Sequence, residues 1–228
     1  MAGTVLLAAH SDIDRLHDGL QGLEMAVAPA STGAEALERA EQLRPDVVVL
    51  VLDLPDIHGL DVCRRLRRTS DVPLIVMAEG ASDLDRVLAL ELGADVVIAG
   101  PCDRGELCER IRAALRCAAE AQSEGGTDRD VLEFGDLTID RRTHTLTIDG
   151  ACEQLTPMEM DLLWALASHP REVLRSARLL REVWGYPEGV HTRTLDVHIG
   201  RVRRKLGEDG QSPRHIVTVR GVGYRFEP

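Results

Sequence analysis

Arg193-Thr194-Leu195-Asp196-Val197-His198-Ile199-Gly200-Arg201-Val202-Arg203-Arg204-Lys205-Leu206 decides how the second half of the chain is read. Leu195, Ile199, Val202 and Leu206 recur at helical spacing, so one face of this helix is buried. Arg193, Val197, Gly200 and Arg204 point the opposite way, and Arg201 lies beside them. His198 and Arg203 fall on the two flanks. Such a face suits a DNA major groove. Arginine grips guanine through two hydrogen bonds, valine meets a thymine methyl, and glycine lets the backbone approach. The flanking His198 and Arg203 are placed for phosphates, and Thr194 at the helix start is counted among the DNA-contacting residues. Alone, a basic helix face is as often merely solvated. The next hairpin shifts that balance. Thr218-Val219-Arg220-Gly221-Val222-Gly223-Tyr224-Arg225-Phe226 presents Arg220 on a glycine-bounded turn. A guanidinium presented there can enter a minor groove, and Thr218 and Tyr224 offer hydroxyls to phosphate.

Outward from this helix the pattern is α+β. Short alternating strands occupy about 131–153, with Asp149-Gly150 as a hairpin turn. A helix is predicted over 156–168, where Thr156 caps, Pro157 takes the first position and Glu159 completes a capping box. A second helix is predicted over 176–183 and the third over 192–206. The final hairpin pairs His215–Val219 with Tyr224–Phe226. The small, polar run Ser123-Glu124-Gly125-Gly126-Thr127-Asp128 reads as part of a linker over 122–130.

Residues 1–121 follow another rhythm. Apolar runs at 5–9, 25–28, 47–52, 74–77 and 96–98 alternate with helical segments, among them 32–44, 58–69, 81–92 and 103–120. Ser31, Ser82 and Asp103 suit N-caps, and Gly93 suits a helix stop. Five strands alternating with five helices predict an α/β fold with a doubly wound, five-stranded parallel sheet. The run Val47 to Leu52 is apolar on both faces, as a central parallel strand requires.

Charge follows the same division. Residues 1–124 hold 22 acids against 12 arginines, whereas 191–228 hold eight basic residues against four acids. An acidic front and a basic tail point to nucleic acid contacted by the tail alone. No apolar run is long enough to span a bilayer. The start lacks a basic signal region, so a cytoplasmic chain is expected. The five cysteines form no CxxC pair, which disfavours a disulfide scaffold or a zinc site. No GxGxxG, Walker A or nucleophile-elbow motif appears, so neither catalysis nor a cofactor or metal is called for.

Residues 131–228 resemble the winged-helix effector domain of OmpR/PhoB-type response regulators. The matching segments are Leu155-Thr156-Pro157-Met158-Glu159, Leu179-Leu180-Arg181-Glu182-Val183-Trp184-Gly185, the helix from Arg193 and the hairpin from Thr218. The resemblance implies promoter DNA as partner, bound by tandem dimers on direct repeats. It also makes Trp184-Gly185-Tyr186 the candidate loop for RNA polymerase, although core packing is the plainer role for Trp184.

By order and length, residues 1–121 resemble the family's receiver, a flavodoxin-like domain. The landmarks are Pro45-Asp46, Leu54-Pro55 with Gly59, Pro73, Asp85-Arg86-Val87, Gly93-Ala94-Asp95 and Pro101. A working receiver phosphorylates an aspartate beside Mg²⁺, which needs clustered carboxylates. Here the acidic pair aligns with Ala9 and His10, and the acceptor with Val51. The switch hydroxyl aligns with Ala78, the switch aromatic with Val97 and the lysine with Gly100. Together these replacements remove metal site, acceptor and response. Asp53, on the same side of the strand as Val51, is the rival acceptor, with only Asp12 as a plausible neighbour; its plainer role is a cap on local N–H groups.

In the family, receivers pair through the helix at 81–92, the strand at 96–98 and the helix at 103–120. Arg86 and Glu106 match ion-pair positions, Glu91 and Arg112 suit a second pair, and Leu90 and Ile111 suit an apolar centre. Val96 replaces the aspartate that pairs with Arg110. The expected function is a sequence-specific, phosphorylation-independent transcriptional regulator. It would act as a homodimer controlled by abundance or by a small-molecule effector at the vacated pocket. The alternative is a conventional two-component switch phosphorylated by a histidine kinase on Asp53.

Overall fold

The structure is a computed structural model that describes residues 3–10, 20, 25–102, 104–120, 130–190, 192–208 and 211–228. The side chains of 104 and 117–120 are not described. The expected linker over 122–130, Asp12 and Asp103 therefore fall outside the described residues, except Asp130 at the linker's end. So does the helix expected between the first two strands, apart from Leu20. The chain divides into two compact units, Met1–Leu115 and Arg116–Pro228. Among the described residues, no helix is long and apolar enough to cross a membrane.

The first unit is the five-stranded parallel sheet. Its strands are β1 (Thr4–Ala8), β2 (Ala26–Ala30), β3 (Val47–Val51), β4 (Leu74–Met77) and β5 (Val96–Ile98), in the order β2-β1-β3-β4-β5. Every pairing is parallel. The β-branched run of β3 lies at the centre, with Val47 to Leu50 fully buried. The strand order reverses between β1 and β3, so their carboxyl ends open a crevice at that edge.

Around the sheet lie α1 (Gly33–Leu43), α2 (Gly59–Leu66), α3 (Asp83–Glu91) and α4 (Arg104–Glu120). Ser82 and Asp85 cap α3 reciprocally, as the sequence suggests. The cap of α1 is Thr32, not Ser31: Thr32 Oγ1 accepts from Glu35 N at 3.1 Å. Asp56 adds a second cap from the β3–α2 loop, accepting from Gly33 N at 2.7 Å and Ala34 N at 2.9 Å. Chiefly the Ala34 N–H holds its carboxyl below the usual range. Gly59 closes the same loop: its N–H donates to Leu52 O at 2.8 Å, and a Cβ there would lie 2.7 Å from Leu52 Cα. On the far side, buried Asp95 pairs with Arg67 and accepts from Leu74 N at 2.8 Å. Arg67 Nε also donates to Gly93 O at 2.7 Å, tying the end of α2 to the turn before β5.

The second unit opens with an antiparallel meander of β6 (Val131–Phe134), β7 (Leu137–Asp140), β8 (Thr145–Ile148) and β9 (Ala151–Gln154). Asp149 and Gly150, at φ 49° and 79°, turn β8 into β9. Then come α5 (Pro157–Ala167), β10 (Val173–Arg175), α6 (Ser176–Trp184) and α7 (Thr194–Lys205). The closing hairpin is β11 (Ile216–Val219) and β12 (Gly223–Phe226). β10 was not expected; it joins as a third strand in the order β10-β12-β11. A Cβ on Gly223 would lie 2.0 Å from Leu174 O, so only glycine permits this pairing. The Thr156–Glu159 capping box starts α5. Buried Glu159 also accepts from Lys205 Nζ at 2.6 Å, and Lys205 donates to Gln154 O at 2.6 Å.

Glu159→Ala removes a cap and leaves the Lys205 ammonium half-buried without its carboxylate. It is expected to destabilise the second unit by about 2–4 kcal/mol. Thermal unfolding followed by tryptophan fluorescence checks this, since Trp164 and Trp184 both lie in that unit. Lys205→Met, which spares the capping box, is expected to destabilise less.

Candidate nucleic-acid interface and receiver pocket

The exposed stripe of α7 runs through Arg193, Asp196, half-buried Gly200 and Arg204. These positions are three or four residues apart, so they form one face. Arg193 and Arg204 stand where the sequence places them. A Cβ on Gly200 would meet nothing within 4 Å, so bare backbone faces open space. Asp196 was not among the expected site residues, although its spacing from Arg193 and Gly200 puts it on their face.

Much of the rest of the expected set is buried. Val197 and Arg201 are each 7 % exposed, so neither stands on the open face assigned to base readers. Thr194 is fully buried, its hydroxyl 2.7 Å from that of Thr192. His198 is also fully buried: its Nδ1 bonds Thr194 O at 2.8 Å and its ring meets Trp184 edge-on at 5.0 Å. Arg203, expected on phosphate, turns inward. Its Nε donates to Ile216 O at 3.0 Å and its Nη2 to Thr218 Oγ1 at 2.8 Å. The flanks of α7 are thus occupied by α6 on one side and β11 on the other, which a helical wheel cannot show.

The wing keeps Arg220 exposed at its tip, and Thr218 remains exposed while accepting from Arg203. Tyr224 is corrected. It is buried, and its hydroxyl donates to Asp196 Oδ1 at 2.7 Å instead of being offered to phosphate. The Arg203 guanidinium lies 5.9 Å from the centre of the Tyr224 ring. Arg203, Tyr224 and Asp196 therefore fasten the wing to α7.

In the Trp184-Gly185-Tyr186 loop, Gly185 is exposed but both aromatic side chains are buried, so neither ring is presented to a partner. Trp184 is the largest fully buried side chain among the described residues, and Tyr186 is 5 % exposed. Gly185, at φ 68°, ends α6 and turns the chain back over this core.

In the first unit, Ala9, Val51, Ala78, Val97 and Gly100 lie at or beside the carboxyl ends of the strands. Ala9 and Ala78 are buried, Val51 and Val97 half-buried, and Gly100 borders open space. The side chains at these five positions carry no oxygen or nitrogen, and His10 is exposed beside them. These five positions offer no ligand to Mg²⁺, a hard cation that needs oxygen donors. Among the described residues, no cluster of three or more His, Cys, Asp or Glu stands ready for a metal. Asp53 is exposed; Asp56, not Asp53, caps neighbouring N–H groups.

The expected pairing face also changes. Leu90 and Ile111 are 3 % and 0 % exposed, so they belong to the unit's own core and not to an interface centre. Leu84 and Leu88, one turn apart on α3, are exposed instead. Arg86 Nη1 pairs with Asp83 at 2.9 Å, and its Nη2 donates to Ala99 O at 2.9 Å. Buried Arg110 reaches Glu106 at 3.2 Å within its own helix. Arg112 pairs with Glu109 at 2.7 Å within its helix, while Glu91 stays exposed.

Comparison with known proteins assigns both units. Residues 10–112 match the response regulator receiver domain family, and residues 150–226 match the family described as transcriptional regulatory protein, C terminal. The chain is 41 % identical to the DNA-binding response regulator MtrA of Mycobacterium tuberculosis, over 92 % of this chain and 89 % of the relative. It is also 41 % identical to the sensory transduction protein RegX3 of Mycolicibacterium smegmatis, over 91 % and 90 %. Among solved structures, a mutant of RitR is similar with a TM-score of 0.74 at 28 % identity, covering 99 % of each chain.

Because Arg203 is a structural arginine, Arg203→Ala is expected to lower the stability of the second unit by about 1–3 kcal/mol. The slope of log DNA affinity against log salt should stay unchanged, whereas losing one phosphate contact lowers it by about one unit. Thermal unfolding and salt titration together check this.

Proposed function

We propose a phosphorylation-independent mode of action for this chain, which belongs to the OmpR/PhoB-type response regulators and is a DNA-binding transcriptional response regulator. The observation that supports the proposal is the apolar set Ala9, Val51, Ala78 and Gly100 at the carboxyl ends of the strands. Phosphoryl transfer to an aspartate needs a carboxylate acceptor and stabilisation of charge on three equatorial oxygens. Ala9, Val51, Ala78 and Gly100 supply neither. A receiver of this kind keeps its shape and loses its chemistry. The regulator then works as a homodimer through the first unit, with Leu84 and Leu88 as the exposed apolar contacts that supply affinity. Its activity follows abundance, or a partly apolar effector seated at the edge beside Gly100.

DNA is held by the open stripe of α7 and by the wing. Arg193 and Arg204 flank the bare backbone at Gly200 in the major groove, Thr218 positions the backbone, and Arg220 enters the minor groove. The second reading, phosphorylation on Asp53, is favoured by one observation: that carboxylate is exposed at the end of β3.

Incubation with a small phosphodonor and Mg²⁺ separates the two readings. No acid-labile phosphoryl adduct is expected by intact mass, and dimerisation and DNA affinity should not change. Stoichiometric labelling at Asp53 would overturn the proposal.

On DNA, Arg193→Ala and Arg204→Ala are each expected to lower the salt slope by about one unit. Arg220→Ala should lose more affinity on sites with A·T-rich flanks than on matched G·C-rich ones, because a narrow minor groove concentrates negative potential. Equal losses would make Arg220 a phosphate clamp only.

A further inference from the structure

Asp196 is the only acid in α7, and it lies exposed on the same stripe as Arg193, Gly200 and Arg204. A carboxylate on a surface that approaches phosphates weakens general attraction to DNA. Its place there calls for a compensating role. The geometry supplies one. Asp196 Oδ1 accepts from the Tyr224 hydroxyl at 2.7 Å, and Asp196 makes no other hydrogen bond or ion pair among the described residues. Tyr224 is buried beneath the Arg203 guanidinium. Burial, and then the Asp196 carboxylate beside it, push the phenol well above its ordinary range, so it remains a donor. One oxygen of Asp196 is therefore held by Tyr224, while the residue itself stays exposed on the stripe that carries Gly200.

An ionised carboxylate only accepts hydrogen bonds. In the major groove the donors are the amino groups of cytosine and adenine, while guanine and thymine present acceptors that repel it. Adenine sets its N7 acceptor beside its amino group, which suits an amide better than a carboxylate. We propose that Asp196 is a specificity-determining residue that accepts a hydrogen bond from cytosine N4, and that Tyr224 is its positioning residue. The proposal rests on α7 facing DNA, as in the function proposed above.

The test is selection of bound sequences from a pool of random duplexes, using the full-length chain. The wild-type protein should enrich a site with one strongly preferred cytosine per half-site. Asp196→Asn keeps an acceptor for Tyr224 and changes the outward chemistry. It should cut the cytosine preference at that position by about tenfold or more and shift it toward adenine. Tyr224→Phe should weaken the same preference severalfold, and more than the preference at any other position. An Asp196→Asn protein with the wild-type cytosine preference would overturn the proposal. So would a loss equal on all sequences and matched by a lower melting temperature, which would make Asp196 a structural acid at the helix start. If the wild-type chain enriches no sequence, the DNA reading of α7 fails, and this inference fails with it.

Discussion

Lys205 Nζ reaches Glu159 Oε2 and Gln154 O at 2.6 Å each, while Glu159 also closes the cap on α5. Three elements meet at this ammonium: the end of β9, the start of α5 and the last turn of α7. It is the only lysine in a chain with 26 arginines. A compact ammonium with three rotatable donors meets a carboxylate and a carbonyl approaching from different directions, where a planar fork would favour one. Two residues earlier on α7, Arg203 reaches the opposite side and ties into β11. Between them the two cations fix the rotation of α7 about its axis. The outward stripe from Arg193 to Arg204 is a consequence of that rotation.

How much of this was legible in the sequence depended on what each pattern measures. The five parallel strands were readable because β3 and its neighbours are apolar on both faces. β10 was not, because three residues are too few for a period and its place is set by β12 at Gly223. The α5 cap was read correctly from Thr156, Pro157 and Glu159. The α1 cap slipped by one residue, and its partner Asp56 comes from a loop distant in sequence. In α7 the wheel gave the right angles but not the neighbours. His198, Arg201 and Arg203 lie at angles that only packing by α6 and β11 turns from surface into interior. The same limit applies to Leu90 and Ile111, since periodicity cannot separate an apolar face that meets its own core from one that meets a second copy.

In the proposed reading, the first unit separates a fold from the chemistry its family performs there. The groups that stabilise it make structural ties: Asp95 with Arg67 at the amino ends of β4 and β5, and Asp56 in the β3–α2 loop across the N-terminus of α1. Gly59 is required by the backbone of Leu52 and owes nothing to phosphate. Such groups hold the sheet and loops in place whether or not the edge carries carboxylates. Buried Ala9 and Ala78 and half-buried Val51 sit at that edge in a well-packed domain.

The three-stranded sheet has a consequence of its own. Its central strand, β12, is held on one side by β10, which runs directly into α6, and on the other by β11. The base of the hairpin is thus held against the helices, and Val222 O accepts from Ser176 N at 3.1 Å, while Arg220 and Gly221 at the tip are solvent-exposed. Each residue added to a strand lengthens it by about 3.3 Å. Hairpin length can therefore act as a ruler. In the proposed binding mode it sets how far along the double helix the arginine lands from the bases under α7, and insertions at the tip would retune that spacing without disturbing the core.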